Sequence, residues 1–365
     1  MRRVMGLSRD SEGFMVENEQ LMALLQPFKR VTLRDLAREL GLSDRAVSQA
    51  LTPRESNVKL NPKTVERVQK LALERNYRPD SRARSMRYGR FYNVGYFEAK
   101  KKATSWPLLG VESGVFDAAS ENQYRVVLIR LPSELTRDKT SIPSTFREGN
   151  LDALILSHAG NLTPEVEEVI DASGFPVVYL NEKKKHNAVY ADDRSGAVEI
   201  TRHLISLGRR KIVYLAADPA SSHYSVLDRQ AGYEEAMRQA GLEPVIVPGP
   251  DDALEWRRDD MLRLLRTPGA VEAVVTYSDF TALQLYRLMC EQGIALHNLA
   301  VTGFDDFAQE VSPMRLTTMK IPLYDMGRAA VEMALTLVNN NQKTVPSRIF
   351  PVELAVRQST RPSSA

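Results

Sequence analysis

Apolar positions follow a helical period up to about residue 75, then give way to short apolar runs separated by amphipathic stretches. In "TLRDLAREL", Leu33, Leu36, Ala37 and Leu40 stand at i, i+3, i+4 and i+7, which predicts a helix with one buried face. Thr32 with Asp35 three residues on makes a capping-box start, and Gly41 is a good stop. A second helix is predicted from the cap Ser43, with Asp44 in the first turn where the helix dipole favours an acid. It turns Val47, Ala50 and Leu51 inward and leaves Asp44, Arg45, Ser48 and Gln49 on the other side. Asn61-Pro62 opens a third helix carrying Val65, Val68, Leu71 and Ala72. Three short helices with small residues where the first two cross make a helix-turn-helix unit, its second helix placed as a reader.

From Asn93 the pattern changes. The runs "NVGYF", "RVVLI", "ALIL", "PVVYL", "KIVYL", "PVIV", "AVVT" and "LAVT" predict strands. Between them lie amphipathic helices such as "SGAVEITRHLISLG" and "DFTALQLYRLMCEQG". That alternation implies parallel sheets wrapped by helices, long enough for two stacked α/β lobes. Residues 1–30 have no clear period and are expected to be a largely disordered extension.

Composition adds an asymmetry. The chain is 43% hydrophobic and 26% charged, which suits a globular protein, and its net charge of +3 is unevenly spread. Residues 1–90 carry 19 Lys/Arg against 11 Asp/Glu, and the remainder 30 against 35. A basic front end on an acidic body is the footprint of a nucleic-acid-binding module. Five arginines (Arg78, Arg82, Arg84, Arg87 and Arg90) crowd one short segment that composition alone reads as a basic linker. Cys290 is the only cysteine, so disulfides within the chain and cysteine metal sites are excluded. It is expected to be a buried small hydrophobe. The five histidines, at 158, 186, 203, 223 and 297, show no metal spacing. No nucleophile elbow, zinc-protease motif, phosphate loop or dinucleotide fingerprint occurs, so no catalytic residue, metal or cofactor is expected. The start has no apolar run of signal-peptide length and no stretch reaches membrane-span length, so a cytoplasmic protein is expected.

"VTLRDLARELGLSDRAVSQAL" resembles the headpiece of the LacI/GalR family of transcription regulators, and "YRPDSRARSM" resembles its hinge. "VYADDRSGAVEITRHLISLGRRKIVYLA", "LDRQAGYEEAMRQAGL", "VTGFDDF" and "LTTMKIPLYDMGRAAVEMAL" follow in that family's order, so the resemblance covers about Val31 to Arg361. It implies an all-α helix-turn-helix headpiece (31–77), a hinge (78–90) and an α/β two-lobed periplasmic-binding-protein-like effector domain (91–365) whose parallel sheets are flanked by helices. Lobe 1 would span about 91–190 and 320–341 and lobe 2 about 191–319 and 342–361, with crossings near Tyr190, Met319 and Asn341.

The resemblance also implies roles. Asp44, Arg45 and Gln49 match the base-reading positions, and Thr32, Ser43, Ser48 and Arg54 would contact the DNA backbone. Many family members carry Arg where Gln49 stands, so a non-standard operator is expected. Arg82, Ala83, Arg84 and Met86 would form the minor-groove hinge, with Met86 in the usual place of Leu. Arg229 and Asp305 match the ligand-holding pair, a planar donor fork and a two-oxygen acceptor suited to a carbohydrate. Asp279, Ser278 (where Asn is common) and Trp106 would join them. Lys100, Lys101 and Lys102 raise the idea of an anionic effector. The partners implied are a pseudo-palindromic double-stranded DNA operator, a small polar effector and a second copy of the chain. Control by a partner protein and a transport-type solute-binding protein are the alternatives.

Overall fold

Each helix of the N-terminal unit begins where its local chemistry dictates. The computed structural model describes residues 31–51, 60–78, 85, 89–99, 110–131, 150–157, 168, 170, 172, 174–217, 223–248, 258–295, 299–307 and 315–361. Helix α1 (Leu33–Leu40) starts in a capping box: Thr32 Oγ1 accepts from the Asp35 amide at 3.3 Å, and Asp35 Oδ2 accepts from the Thr32 amide at 2.9 Å. It stops at Gly41, whose φ of 65° is left-handed. Helix α2 (Asp44–Leu51) follows, and α3 (Pro62–Glu74) starts at the Asn61 cap. Leu36, Ala37, Val47, Ala50, Val68 and Ala72 form the small core of this unit.

A second unit spans Arg90–Ala365 and holds two six-stranded sheets. Its elements are β1 (Asn93–Ala99), α4 (Val111–Glu121), β2 (Arg125–Leu131), β3 (Ala153–Ser157), β4 (Val177–Leu180), β5 (Ala188–Ala191), α5 (Asp193–Ser206), β6 (Ile212–Leu215), α6 (Tyr224–Gln239) and β7 (Val245–Val247). They continue with α7 (Arg258–Arg266), β8 (Ala273–Thr276), α8 (Asp279–Glu291), β9 (Ala300–Asp305), β10 (Thr317–Lys320), α9 (Leu323–Asn340), β11 (Arg348–Phe350) and β12 (Glu353–Ala355). The first sheet runs β11-β5-β4-β3-β1-β2 and is wholly parallel; the second runs β12-β10-β9-β8-β6-β7, with only β12 antiparallel. Their central strands are buried on both faces, as strands covered by helices must be.

Two expectations are corrected. The segment assigned to lobe 2 from residue 342 first returns to lobe 1: β11 pairs with β5, and the third crossing falls at 351–352 rather than near Asn341. Asn187 draws the chain there, donating to Lys343 O at 3.0 Å and accepting from the Val345 amide at 2.7 Å. Cys290 is exposed rather than buried, because the inward stripe of α8 is taken by Leu285, Tyr286 and Met289.

Helices α4 and α9 cross closely, with a glycine on each side. A Cβ on Gly114 of α4 would collide with Tyr324 O of α9, and one on Gly327 of α9 would collide with Val111 O of α4. Among the described residues no helix is long and apolar enough to cross a membrane.

Candidate functional site

In both sheets the strand order reverses beside the first strand of the lobe, between β1 and β3 and between β6 and β8. Ligands of such sheets bind beyond the carboxyl ends of the strands at those reversals. Four groups converge there in the second lobe. Arg229, in the second turn of α6, is buried, and its guanidinium is fixed on three sides. Nε donates to Asp193 Oδ1 at 2.6 Å, Nη1 to Tyr277 O at 2.6 Å, and Nη2 to Asp305 Oδ1 at 3.1 Å. The Phe304 ring covers one side, its centroid 3.8 Å from Cζ, and the Tyr277 ring stands at 4.8 Å.

Exposure separates the three charges. The Asp305 side chain is 21% exposed, against 6% for Arg229 and 1% for Asp193. The outward edge of the cluster is therefore a carboxylate backed by a guanidinium. Burial pushes the Asp305 carboxyl up to about 6, although Arg229 pulls the other way. Burial works against the Arg229 charge as well, but Asp193 and Asp305 outweigh it and hold the guanidinium more firmly protonated than usual. Asp305 and Asp306 follow each other at φ 105° and 62°, a left-handed pair that costs order 1–3 kcal/mol per residue and is tolerated where function demands it.

Asp279 stands at the start of α8, directly after the Ser278 cap. It is fully buried, with Oδ1 accepting from Thr318 Oγ1 at 2.6 Å and Oδ2 from the Phe307 amide at 3.0 Å. It sits against Gly303, where any side chain would meet its carboxylate. Asp279 thus pins the turn that presents Asp305. Ser278 is also buried and caps α8, its Oγ accepting from the Thr281 amide at 3.2 Å. Trp106 and Lys100–Lys102 lie outside the described residues.

The first lobe reaches the site through the amino end of α6. His223 Nε2 lies 2.8 Å from Asn181 O, at the end of β4, and Lys183 Nζ pairs with Asp228 at 2.6 Å. The Tyr224 hydroxyl lies 3.3 Å from the Ala191 amide and 3.4 Å from Asn181 Oδ1. Sequence reasoning missed Asp193, Tyr277 and His223. Asp193 stands 36 positions from Arg229 and Tyr277 48, so no local pattern joins them.

In the N-terminal unit, Arg45 is exposed on α2, and Asp44 is exposed with Arg34 at 3.5 Å. Ser48 and Gln49 are half-buried. The Thr32 and Ser43 hydroxyls serve as helix caps: Thr32 Oγ1 donates to Asp35 Oδ2 at 2.7 Å and Ser43 Oγ accepts from the Ala46 amide at 3.2 Å. Arg54, Arg82, Ala83, Arg84 and Met86 fall outside the described residues, as does the extension 1–30.

Comparison with known proteins gives a consistent result. A periplasmic binding protein-like domain family matches residues 201–360. The HTH-type transcriptional regulator RegA of Clostridium saccharobutylicum is 25% identical over 336 residues, covering 90% of this chain and 99% of that regulator. Among solved structures, the lac repressor dimer bound to operator and the anti-inducer ONPF matches with a TM-score of 0.72 at 20% identity, over 91% of this chain and 99% of that one. The transcriptional regulator CelR in complex with cellobiose matches at 0.61 and 23% identity, over 90% and 100%. These solved structures share the two-lobed fold seen here.

Proposed function

We propose that this chain is a member of the LacI/GalR family of transcription regulators, a sequence-specific DNA-binding repressor whose grip on its operator is set by a small polyhydroxylated ligand at Arg229 and Asp305. The carrying observation is the braced guanidinium behind a partly exposed carboxylate. An ionised carboxylate accepts from two neighbouring hydroxyls, while a guanidinium fork supplies fixed donors to ring or hydroxyl oxygens. Their convergence beyond the strand ends, with an aromatic ring on the guanidinium, suits a sugar or sugar derivative. The cellobiose held by one structural neighbour supports that ligand class.

On the DNA side, α2 would lie in the major groove with Asp44, Arg45 and Gln49 towards base edges, and Ser48 and Arg54 on the phosphates. The caps formed by Thr32 and Ser43 fix the two helices. Arg82, Ala83, Arg84 and Met86 would order in the minor groove once phosphates neutralise the arginines. Two copies of the chain would bind a pseudo-palindromic operator, as the operator-bound lac repressor dimer supports. Ligand drawn between the lobes would shift the first lobes and so the paired hinges. No catalytic step, metal or cofactor enters this reading.

A thermal-shift panel of neutral mono- and disaccharides tests it, since a ligand of the folded state raises Tm by mass action. The expected result is one sugar that raises Tm and changes affinity for a DNA site selected by the protein. Gln49→Arg should alter the selected base at one position per half-site. DNA selection without any sugar response would instead favour control by a partner protein; sugar binding without DNA selection would favour a transport-type solute-binding protein.

A further inference from the structure

His223 is the amino-terminal cap of α6 and sits where the two lobes meet. Its bonding partners determine which nitrogen carries the proton. The Asn181 carbonyl, 2.8 Å from Nε2, can only accept, so Nε2 is the donor. In the neutral ring Nδ1 is then an acceptor, and it faces the Ser225 amide at 3.4 Å and the Ser225 hydroxyl at 2.7 Å. The Ser225 hydroxyl therefore donates to Nδ1 and accepts from the Tyr277 hydroxyl at 2.8 Å. Tyr277 in turn accepts at its carbonyl from Arg229 Nη1 at 2.6 Å.

The result is a chain of groups with one direction, running from a backbone carbonyl of the first lobe to the guanidinium of the second. His223 and Ser225 are each used on both sides, and Tyr277 continues the path through two separate groups, its hydroxyl to Ser225 and its backbone carbonyl to Arg229. Ser225 is buried, so water does not readily replace its partners. Asp193 and Arg229 are the charges that act on His223, and the centroid of the Tyr224 ring stands 4.6 Å from that of the imidazole. Burial lowers the imidazole pKa, which keeps the ring in the neutral form this chain requires.

We infer that His223 is a positioning residue: through Ser225 and Tyr277 it ties the Asn181 carbonyl of the first lobe to the orientation of Arg229. The inference rests on the reading in which Arg229 holds the ligand. It explains how closure between the lobes reaches the guanidinium without His223 touching the ligand.

Substitutions at the two ends separate this role from simple helix capping. His223→Asn keeps an acceptor for the α6 cap but is too short to reach Asn181 O. Tyr277→Phe removes the hydroxyl while leaving the carbonyl for Arg229, and that hydroxyl's partner is Ser225 rather than the first lobe. Hydrogen-exchange mass spectrometry on the full-length protein without ligand reads the chain directly. Each variant is expected to speed exchange of amides at 181–187 about fivefold, the factor of one hydrogen bond. Unchanged exchange there in either variant would overturn the proposal, because capping alone survives in His223→Asn.

With the sugar that gives the largest thermal shift in wild type, each variant is expected to bind about tenfold more weakly, and the double variant no more weakly than either. Full affinity in both single variants would sink the link to Arg229. Failure of every sugar to bind wild type, with faster exchange in both variants, would refute the ligand reading and leave the connection between the lobes standing.

Discussion

Arg229 holds a charge that burial opposes, and it does so because Asp193 is buried beside it and Asp305 stands in front of it. Burial pushes the Asp305 carboxyl up to about 6, although Arg229 pulls it down. Because the folded carboxyl titrates above its ordinary value, its share of stability is full below the unfolded range and is lost as pH rises through about 6. Ligand binding has the opposite sign: hydroxyls donate to the carboxylate, so affinity for a neutral sugar should rise about tenfold between pH 5 and pH 7. Calorimetric titration at the two pH values checks this, and Asp305→Asn should abolish the dependence. Arg229 and Asp305 were legible because each lies in a recognisable motif. The role of Asp279 was not: its adjacency to Ser278 in the chain suggests a shared face, yet the start of α8 turns its carboxylate under Gly303. His223 was legible only as a histidine without metal spacing, since its partners come from the end of β4 and from α6, and Tyr277 is reached only through Ser225.

The helices α1, α2 and α3 match their expected positions because caps and period are local. Thr32, Asp35, Gly41, Ser43 and Asn61 act within a few residues of themselves. Strands β5, β10, β11 and β12 were not singled out: β10, β11 and β12 mix polar or charged residues with apolar ones, and β5 is a four-residue run directly followed by Asp192 and Asp193. Pairing with neighbours far along the chain makes them strands. The close crossing of α4 and α9 belongs to the same class. Alanine at position 327 would improve helix propensity, by roughly 0.5–1 kcal/mol, yet its methyl group would meet the Val111 carbonyl. Overpacking of this kind costs about 1–3 kcal/mol. Gly327→Ala is therefore expected to lower the urea midpoint; a raised midpoint would mean that α4 moves aside freely.

For the whole molecule, the proposed repressor must make ligand and DNA compete or cooperate through one coupling energy. Such coupling is reciprocal: the factor by which the sugar changes operator affinity equals the factor by which operator DNA changes sugar affinity. Fluorescence titrations of each with and without the other should return equal factors, and unequal equilibrium factors would exclude a single linked transition. The sequence by itself determined the all-α unit, the alternation that makes parallel sheets and the basic front end, because period, capping and charge are properties of near neighbours. Only the tertiary structure decided the return of β11 to the first sheet, the exposure of Cys290, the buried support role of Asp279 and the hydrogen-bonded chain from Asn181 to Arg229. Those depend on groups tens of residues apart meeting at a sheet edge or between lobes, and the cost of a buried polar group without a partner selects which of them meet.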